Sequence, residues 1–254
     1  MTIKFLQLNI QHGRFINRIV EFVKENNIDV ASFQEVTGGK LSRYNPDCLN
    51  YLENKIPNYS NESVTNWKLS TDKNSYFANA TFFKKSFELK NKKVAWLKLY
   101  EEITDDKTKK TEDYPRTALD ITLAKEGQNI KVINTHLAWS ISPKDDPNKL
   151  RQGKILIDYM QKIKEPFVLS GDFNVDASSK IVKDLDKLAI NLTVENGVRN
   201  TLNLRTHRAK DVIPKPGLAV DFVYVEKSIQ PISFKVIDNL DLSDHLGILA
   251  EFEI

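Results

Sequence analysis

The sequence predicts an α/β fold in which packed sheets are covered by helices, and three observations carry that expectation. Two stretches follow the same strand–helix–strand plan, one near the amino terminus and one in the second half. A strand-rich region separates them. No Pro/Gly/Ser linker or low-complexity tract interrupts the 254 residues, so one domain is expected over residues 1–254.

The first unit runs strand Ile3–Ile10, a helix over about Arg14–Asn26, then strand Ile28–Val36. Ile16, Ile19, Val20 and Val23 recur at i, i+3, i+4 and i+7, which gives that helix one apolar face. The middle region offers strands Asn79–Lys84, Lys92–Leu99 and Arg116–Leu123, with Glu101–Asp113 as a highly charged connection. In the second unit, strand Ile130–Leu137 leads to a helix of about Asn148–Lys164 and then strand Phe167–Leu169. Asp146 can cap that helix with Pro147 at its first position, and Leu156, Tyr159, Met160 and Ile163 form its stripe. After Asp176 come a short helix near Ser179–Leu188 and three further strands. The two units share architecture but not sequence.

Polar side chains recur at the ends of the apolar runs. Asn9 closes the first, Glu35 the second, His136 the run ending at Leu137, and Asp172 with Asn174 the run Phe167–Val175. Asp221 sits inside Leu218–Val225, and Asp244–His245 opens the run Leu246–Ile254. A charge at a buried strand is costly unless it is paired, hydrogen-bonded or metal-bound. Six such sites predict a polar centre gathered on one rim of a sheet. Each has a plainer explanation: Gly171-Asp172-Phe173-Asn174 also reads as a strand-ending turn, and Asp221 as half of a structural ion pair. His12 and His207 fall in expected loops and are read as inert. A carboxylate at Asp221 would fix the His245 tautomer and favour its imidazolium. Glu35 is an odd core residue and a natural ligand for a hard cation.

Composition narrows the classes. The net charge of +3, from 37 basic and 34 acidic residues, permits a polyanionic partner without requiring one. The single cysteine, Cys48, excludes an intrachain disulfide and a thiolate zinc cage. No run approaches the roughly 18–20 apolar residues of a membrane span, and cytoplasmic is the expected location.

Taken in order, Leu8-Asn9-Ile10, Phe33-Gln34-Glu35-Val36, Asn134-Thr135-His136-Leu137, Gly171-Asp172-Phe173-Asn174, Val220-Asp221-Phe222 and Ser243-Asp244-His245 resemble the motifs of the endonuclease/exonuclease/phosphatase superfamily, the DNase I-like group. The resemblance spans residues 8–245 and implies a four-layered α/β sandwich of two packed mixed β-sheets flanked by helices. It implies a phosphoester hydrolase using Mg²⁺, with Mn²⁺ as the alternative. By the same resemblance Glu35 is the main metal ligand, with Asn9 beside it and Asp244 as an auxiliary ligand. Asp172 orients or deprotonates water, and Asn174 holds a phosphate oxygen. His245, partnered by Asp221, sits on the scissile phosphate, and His136 is the second histidine of the DNase I-like branch. Arg116 is a candidate phosphate contact. Where abasic-site endonucleases carry Asn-x-Asp-Gly, this chain has Asn9-Ile10-Gln11-His12-Gly13, which counts against a second acidic ligand and repair activity.

The expected activity is phosphodiester hydrolysis of nuclease type, with phosphomonoesterase or phospholipid diesterase as the alternative and a silent phosphate-binding scaffold as a second. The expected partner is a phosphate ester, nucleic acid or nucleotide included. Arg205, His207, Arg208 and Lys210 form a basic cluster suited to a flanking phosphate, and Trp139 is placed to stack on a ring or base. The lysines at 84–85, 90, 92–93 and 107–110 read as a solvated face, because acidic residues interrupt them. No amphipathic apolar segment stands out for lipid contact, and nothing in the sequence sets the oligomeric state.

Overall fold

The protein is described here by a computed structural model, which covers residues 1–104 and 113–254. Its strands form two mixed sheets. Sheet A contains β1 (Thr2–Asn9), β2 (Val30–Gly38), β3 (Tyr59–Leu69), β4 (Asp72–Lys84), β6 (Glu101–Ile103), β12 (Gln230–Ile237) and β13 (Gly247–Glu253), in the order β12-β13-β1-β2-β4-β3-β6. Sheet B contains β5 (Glu88–Lys98), β7 (Arg116–Lys125), β8 (Gln128–His136), β9 (Phe167–Asp172), β10 (Ile190–Asn191) and β11 (Asp221–Val225), in the order β10-β11-β9-β8-β7-β5.

Alternation along each strand builds the layers. Leu6, Leu8, Ala31 and Phe33 pack outward from sheet A against α1 (Ile16–Glu25) and α2 (Cys48–Lys55), a cluster that also takes in the thiol of Cys48. Ile133, Leu169, Phe222 and Tyr224 pack outward from sheet B against α3 (Pro147–Met160) and α4 (Lys180–Leu185). Between the sheets, Ile3, Phe5 and Val30 meet Leu119, Ile121, Val132, Val168 and Val223. The result is a four-layered DNase I-like sandwich. A short α5 (Leu192–Glu195) follows β10.

The inward faces are graded. β1 presents Ile3 and Phe5, then Gln7, then Asn9; β8 presents Ile130 and Val132, then Asn134, then His136; β9 presents Val168, then Ser170, then Asp172. Apolar residues thus fill one end of the inter-sheet space and uncharged amides its middle. The amides are paired across and within the sheets: Gln34 donates to Asn134 of sheet B at 2.7 Å, Asn134 donates back to the Ala80 carbonyl of sheet A at 2.9 Å, and within sheet A Gln7 donates to Gln34 at 3.0 Å. Each such bond contributes only about 1 kcal/mol net, but breaking one in a dry interior costs more.

Topology then decides where the ionisable residues fall. β1 runs parallel to β2, and β8 parallel to β9, so Asn9, Glu35, His136 and Asp172 lie towards the carboxyl ends of neighbouring strands. β11 runs antiparallel to β9 with Asp221 opposite Asp172, β13 antiparallel to β1, and β7 antiparallel to β8. The starts of β11, β13 and β7 therefore share that rim, bringing Asp221, the preceding Asp244–His245 and Arg116 to it.

Several elements differ from expectation. Asp221 begins its strand rather than sitting within a run from Leu218. The segment expected as a charged connection starts with β6, and residues 105–112 of it lie outside the described residues. Four strands, not three, follow Asp176, because the two-residue β10 is added. α2, β3 and the first half of β4 had no counterpart in the sequence prediction. Among the described residues no helix is long and apolar enough to cross a membrane.

Candidate active site

The rim opens into a cleft of about 460 Å³ whose lining includes Glu35, Arg116, His136, Trp139, Asp172, Asn174, Asp244 and His245. Two backbone irregularities aim its central groups. At Glu35 the β2–β4 pairing slips between Phe33 and Val36, and the residue takes a left-handed φ of 55°. That conformation costs an ordinary side chain about 1 kcal/mol and turns the carboxylate out of strand alternation into the cleft. Asn174, just past β9, has a φ of 52°. Gly171 is required by close approach, since a Cβ there would lie 1.9 Å from the Thr135 carbonyl oxygen of β8.

Asp172 is the hub. Its Oδ1 accepts from the Asn174 backbone at 3.0 Å, and its Oδ2 accepts from Asn9 Nδ2 at 3.0 Å. His136 Nε2 lies 3.4 Å and His245 Nε2 3.7 Å from the same Oδ2. Burial pushes the Asp172 pKa up to about 7, with His245 and Asn9 opposing and Asp221 and Glu35 reinforcing the rise.

Behind it, His245 Nδ1 lies 2.9 Å from Asp221 Oδ2. Thr201 donates to the same oxygen at 2.6 Å, and Gln7 of sheet A donates to Oδ1 at 3.0 Å. Burial alone would lower the pKa of His245, but Asp221 and Asp172 outweigh it and hold the imidazole cationic well above its usual range. His136 is the opposite case. Burial, Arg116 and the neighbouring imidazoles depress it, so it is neutral at pH 7.

Glu35 retains a side-chain exposure of 22%, and His12 Nε2 is 3.3 Å from its Oε2. Burial raises its pKa, yet His12, His245, Asn9 and Arg116 together hold it below the usual carboxylate value. Asp244 Oδ2 accepts from Gln11 at 2.7 Å, and burial raises its pKa. Asp172, Asp221 and His245 also offer atoms within 4.8 Å of one another. There, however, both Asp221 oxygens and His245 Nδ1 are committed to hydrogen bonds. The least committed oxygens are those of Glu35; beside it Asn9 Oδ1 accepts only the Gln11 backbone N–H and each Asp244 oxygen a single hydrogen bond, which leaves lone pairs for an all-oxygen set that fits a hard divalent cation.

Arg116 is 3% exposed, with its guanidinium 5.3 Å from the Phe77 ring. Among the described residues its Nε and one terminal nitrogen have no hydrogen-bond partner. Burial lowers its pKa to about 10, so it remains a cation facing the cleft at neutral pH. An unpaired buried guanidinium beside a cleft is a ready anion donor. Lys149 is fully buried beneath the opposite wall. Its Nζ donates to the carbonyls of Ser142 at 2.6 Å and Asn174 at 2.9 Å, stapling the rim loop to the Asn174 turn.

The structure thus brings together ten of the eleven residues singled out from sequence. Arg205 is the exception: its guanidinium binds Asp241 at 2.9 Å and the Asp238 carbonyl at 2.8 Å, outside the cleft. Of its basic cluster only His207 and Arg208 line the opening, Arg208 over the Trp139 ring at 5.2 Å. Both histidines read as ordinary loop residues are at the site. His12 reaches Glu35, and His207 packs edge-on to His245 with its pKa lowered to about 4 by burial. Nearness to Asn9 was the one available signal for His12; for His207 it was membership of the basic cluster with Arg205, Arg208 and Lys210. Lys149 and the amides Gln7, Gln34 and Asn134 were not singled out from sequence as supports of the site.

Residues 6–245 match the model of the Endonuclease/Exonuclease/phosphatase family. No curated protein sequence matches the chain. Among solved structures, an endonuclease/exonuclease/phosphatase from Bacteroides vulgatus superposes with a TM-score of 0.73 at 19% identity, covering 100% of this chain and 99% of that one. The mannosyl-6-phosphatase of Bacteroides thetaiotaomicron gives 0.73 at 15% identity, with 99% and 100% covered. D. rerio TDP2 complexed with a single-strand DNA product gives 0.68 at 16% identity, with 100% and 99% covered.

Proposed function

The chain belongs to the endonuclease/exonuclease/phosphatase family, a family of phosphoester hydrolases, and from that premise we propose that it is a divalent-metal-dependent phosphodiesterase. One observation carries the reading: two carboxylates with opposite ionisation tendencies, a carboxylate-backed imidazolium and an unpaired guanidinium face one cleft. Such divergent pKa values separate the charge-binding group from the proton-handling one.

In this mechanism Asp172 as carboxylate orients a water and takes its proton while the water oxygen attacks phosphorus and the opposite P–O bond breaks. The Asn174 backbone and Asn9 fix its orientation. His245, with Nδ1–H given to Asp221, leaves Nε2–H for a phosphoryl oxygen. Arg116 supplies a second donor to the phosphoryl group, and neutral His136 packs beside Asp172 with its Nε2 3.4 Å from Oδ2. Asn174 Nδ2 gives one hydrogen to the Leu137 carbonyl at 3.1 Å and has the other for a phosphate oxygen. Glu35, Asn9 and Asp244 would hold Mg²⁺, or Mn²⁺ as the alternative; when bound, the cation supplies neutralisation of charge on the phosphoryl oxygens.

Two of the structurally similar proteins differ in what their names state, a mannosyl-6-phosphatase and a protein complexed with DNA product, so the ester class is set by experiment. Hydrolysis of bis-(p-nitrophenyl) phosphate and of p-nitrophenyl phosphate is compared with Mg²⁺, Mn²⁺ or EDTA. Metal-dependent cleavage of the diester, lost in Asp172→Ala and His245→Ala with folding retained, is the expected result. Cleavage of the monoester alone would replace the diesterase by a phosphatase.

A further inference from the structure

The mouth of the cleft carries a feature that phosphate chemistry does not require. Tyr44, Trp139, Ile141 and Val212 all line it and are all exposed, Ile141 by 93% and Val212 by 81%. Single exposed apolar side chains are ordinary, but several around one opening form a patch of the kind that marks a binding surface. They come from three loops far apart in sequence, so no single segment is amphipathic.

Charge is sorted around the same opening. Among the described residues, the acidic lining groups Glu35, Asp172 and Asp244 are at most about a fifth exposed, whereas the exposed charged lining residues are Lys40, Arg43 and Arg208, all basic. An apolar lip ringed by cations is complementary to a surface with anionic headgroups over an acyl layer. It is poorly suited to nucleic acid as the principal partner, because Ile and Val offer neither a π-face for a base nor a donor for a phosphate. The two exposed aromatics of the mouth, Tyr44 and Trp139, already have Arg14 and Arg208 over their rings.

We propose that this mouth seats on an anionic lipid surface and that the diester delivered to the site is a phospholipid headgroup. The headgroup assignment rests on the phosphodiesterase reading; the docking does not. Seated this way, Ile141 and Val212 enter the interfacial layer, Lys40 and Arg43 meet the headgroups, and Arg116 and His245 receive the phosphate within the cleft.

The test is co-sedimentation with vesicles of phosphatidylcholine, with and without phosphatidylserine, together with hydrolysis of the vesicle phospholipid. The wild type is expected to sediment with the phosphatidylserine vesicles. Ile141→Ser combined with Val212→Ser should bind them roughly tenfold more weakly while keeping the wild-type melting temperature. Lys40→Glu with Arg43→Glu should weaken binding to the anionic vesicles selectively. Vesicle hydrolysis by the serine variant should fall relative to hydrolysis of the soluble diester. Absence of binding to the anionic vesicles, or equal binding by the serine variant, would overturn the docking. So would a dimer that the serine substitutions dissolve, which would assign the patch to a second copy of the chain. Preference for a single-stranded oligonucleotide over vesicle phospholipid would overturn the headgroup assignment. Sedimentation needs no turnover, so its failure is distinct from a failure to cleave any diester, which would remove the phosphodiesterase instead.

Discussion

The two strand–helix–strand units, β1–α1–β2 and β8–α3–β9, deliver the two central carboxylates by different local devices, and the difference separates their chemistry. In the second unit the pairing is regular: His136 and Asp172 stand opposite each other at the ends of parallel strands, and Asp172 is 2% exposed. In the first unit the strand bulges, and Glu35 turns out of register to face the cleft with its carboxylate partly open. Burial dominates at Asp172 and raises its pKa to about 7, whereas surrounding cations and Asn9 dominate at Glu35 and lower its pKa. Regular pairing leaves a carboxylate whose pKa burial raises, and the bulge leaves one that its neighbours keep ionised.

The largest test of that division removes the acceptor. Asp172→Asn keeps the shape and most hydrogen bonds but cannot take a proton, so kcat on a diester should fall on the order of 10³-fold with KM little changed. His245→Ala should cost on the order of 10²–10³ in kcat through loss of the donor to the phosphoryl group. Glu35→Gln should behave differently: the metal concentration for half-maximal activity should rise at least about tenfold, and saturating metal should restore part of the rate. A rate loss in Glu35→Gln that metal does not restore would break the division of labour.

Lys149→Met probes the support of the second unit. It strips donors from the Ser142 and Asn174 carbonyls in a dry site, which should lower stability by roughly 2–3 kcal/mol and kcat several-fold, read by denaturant unfolding and steady-state kinetics. The smallest expected effect is on pH. Asp172 works only when ionised, so kcat/KM should fall as pH drops below about 7, while the raised pKa of His245 places the alkaline limb well above its ordinary range. Asn9 lowers the pKa of Asp172 by its hydrogen bond. Asn9→Ala should therefore move the acid limb upward, by up to about one pH unit.

Much of this was legible in the chain because apolar runs ending in single polar residues mark buried strand ends whatever the topology. Of the helices with clean stripes, Ile16–Glu25 lies within its predicted bounds, whereas Pro147–Met160 ends four residues before the predicted Lys164 and leaves Ile163 beyond it. β3 was missed because Tyr59–Leu69 carries Ser60, Asn61, Glu62, Ser63, Asn66 and Lys68; it is stabilised by pairing with β4 and not by its own propensity. Arg205 and His207 illustrate the limit at the site. They are two residues apart in one basic cluster, yet one turns to Asp241 and the other into the cleft, a choice made by loop geometry that composition does not encode. The apolar mouth was invisible for a related reason, since its members belong to separate loops.

The carboxylate that steers His245 is itself gripped by Gln7, which belongs to the facing sheet. Warming that loosens the interlayer amides would thus swing the imidazole off its target while both sheets are still intact. Thermal inactivation would then precede melting, making turnover a more sensitive thermometer of interlayer slippage than circular dichroism.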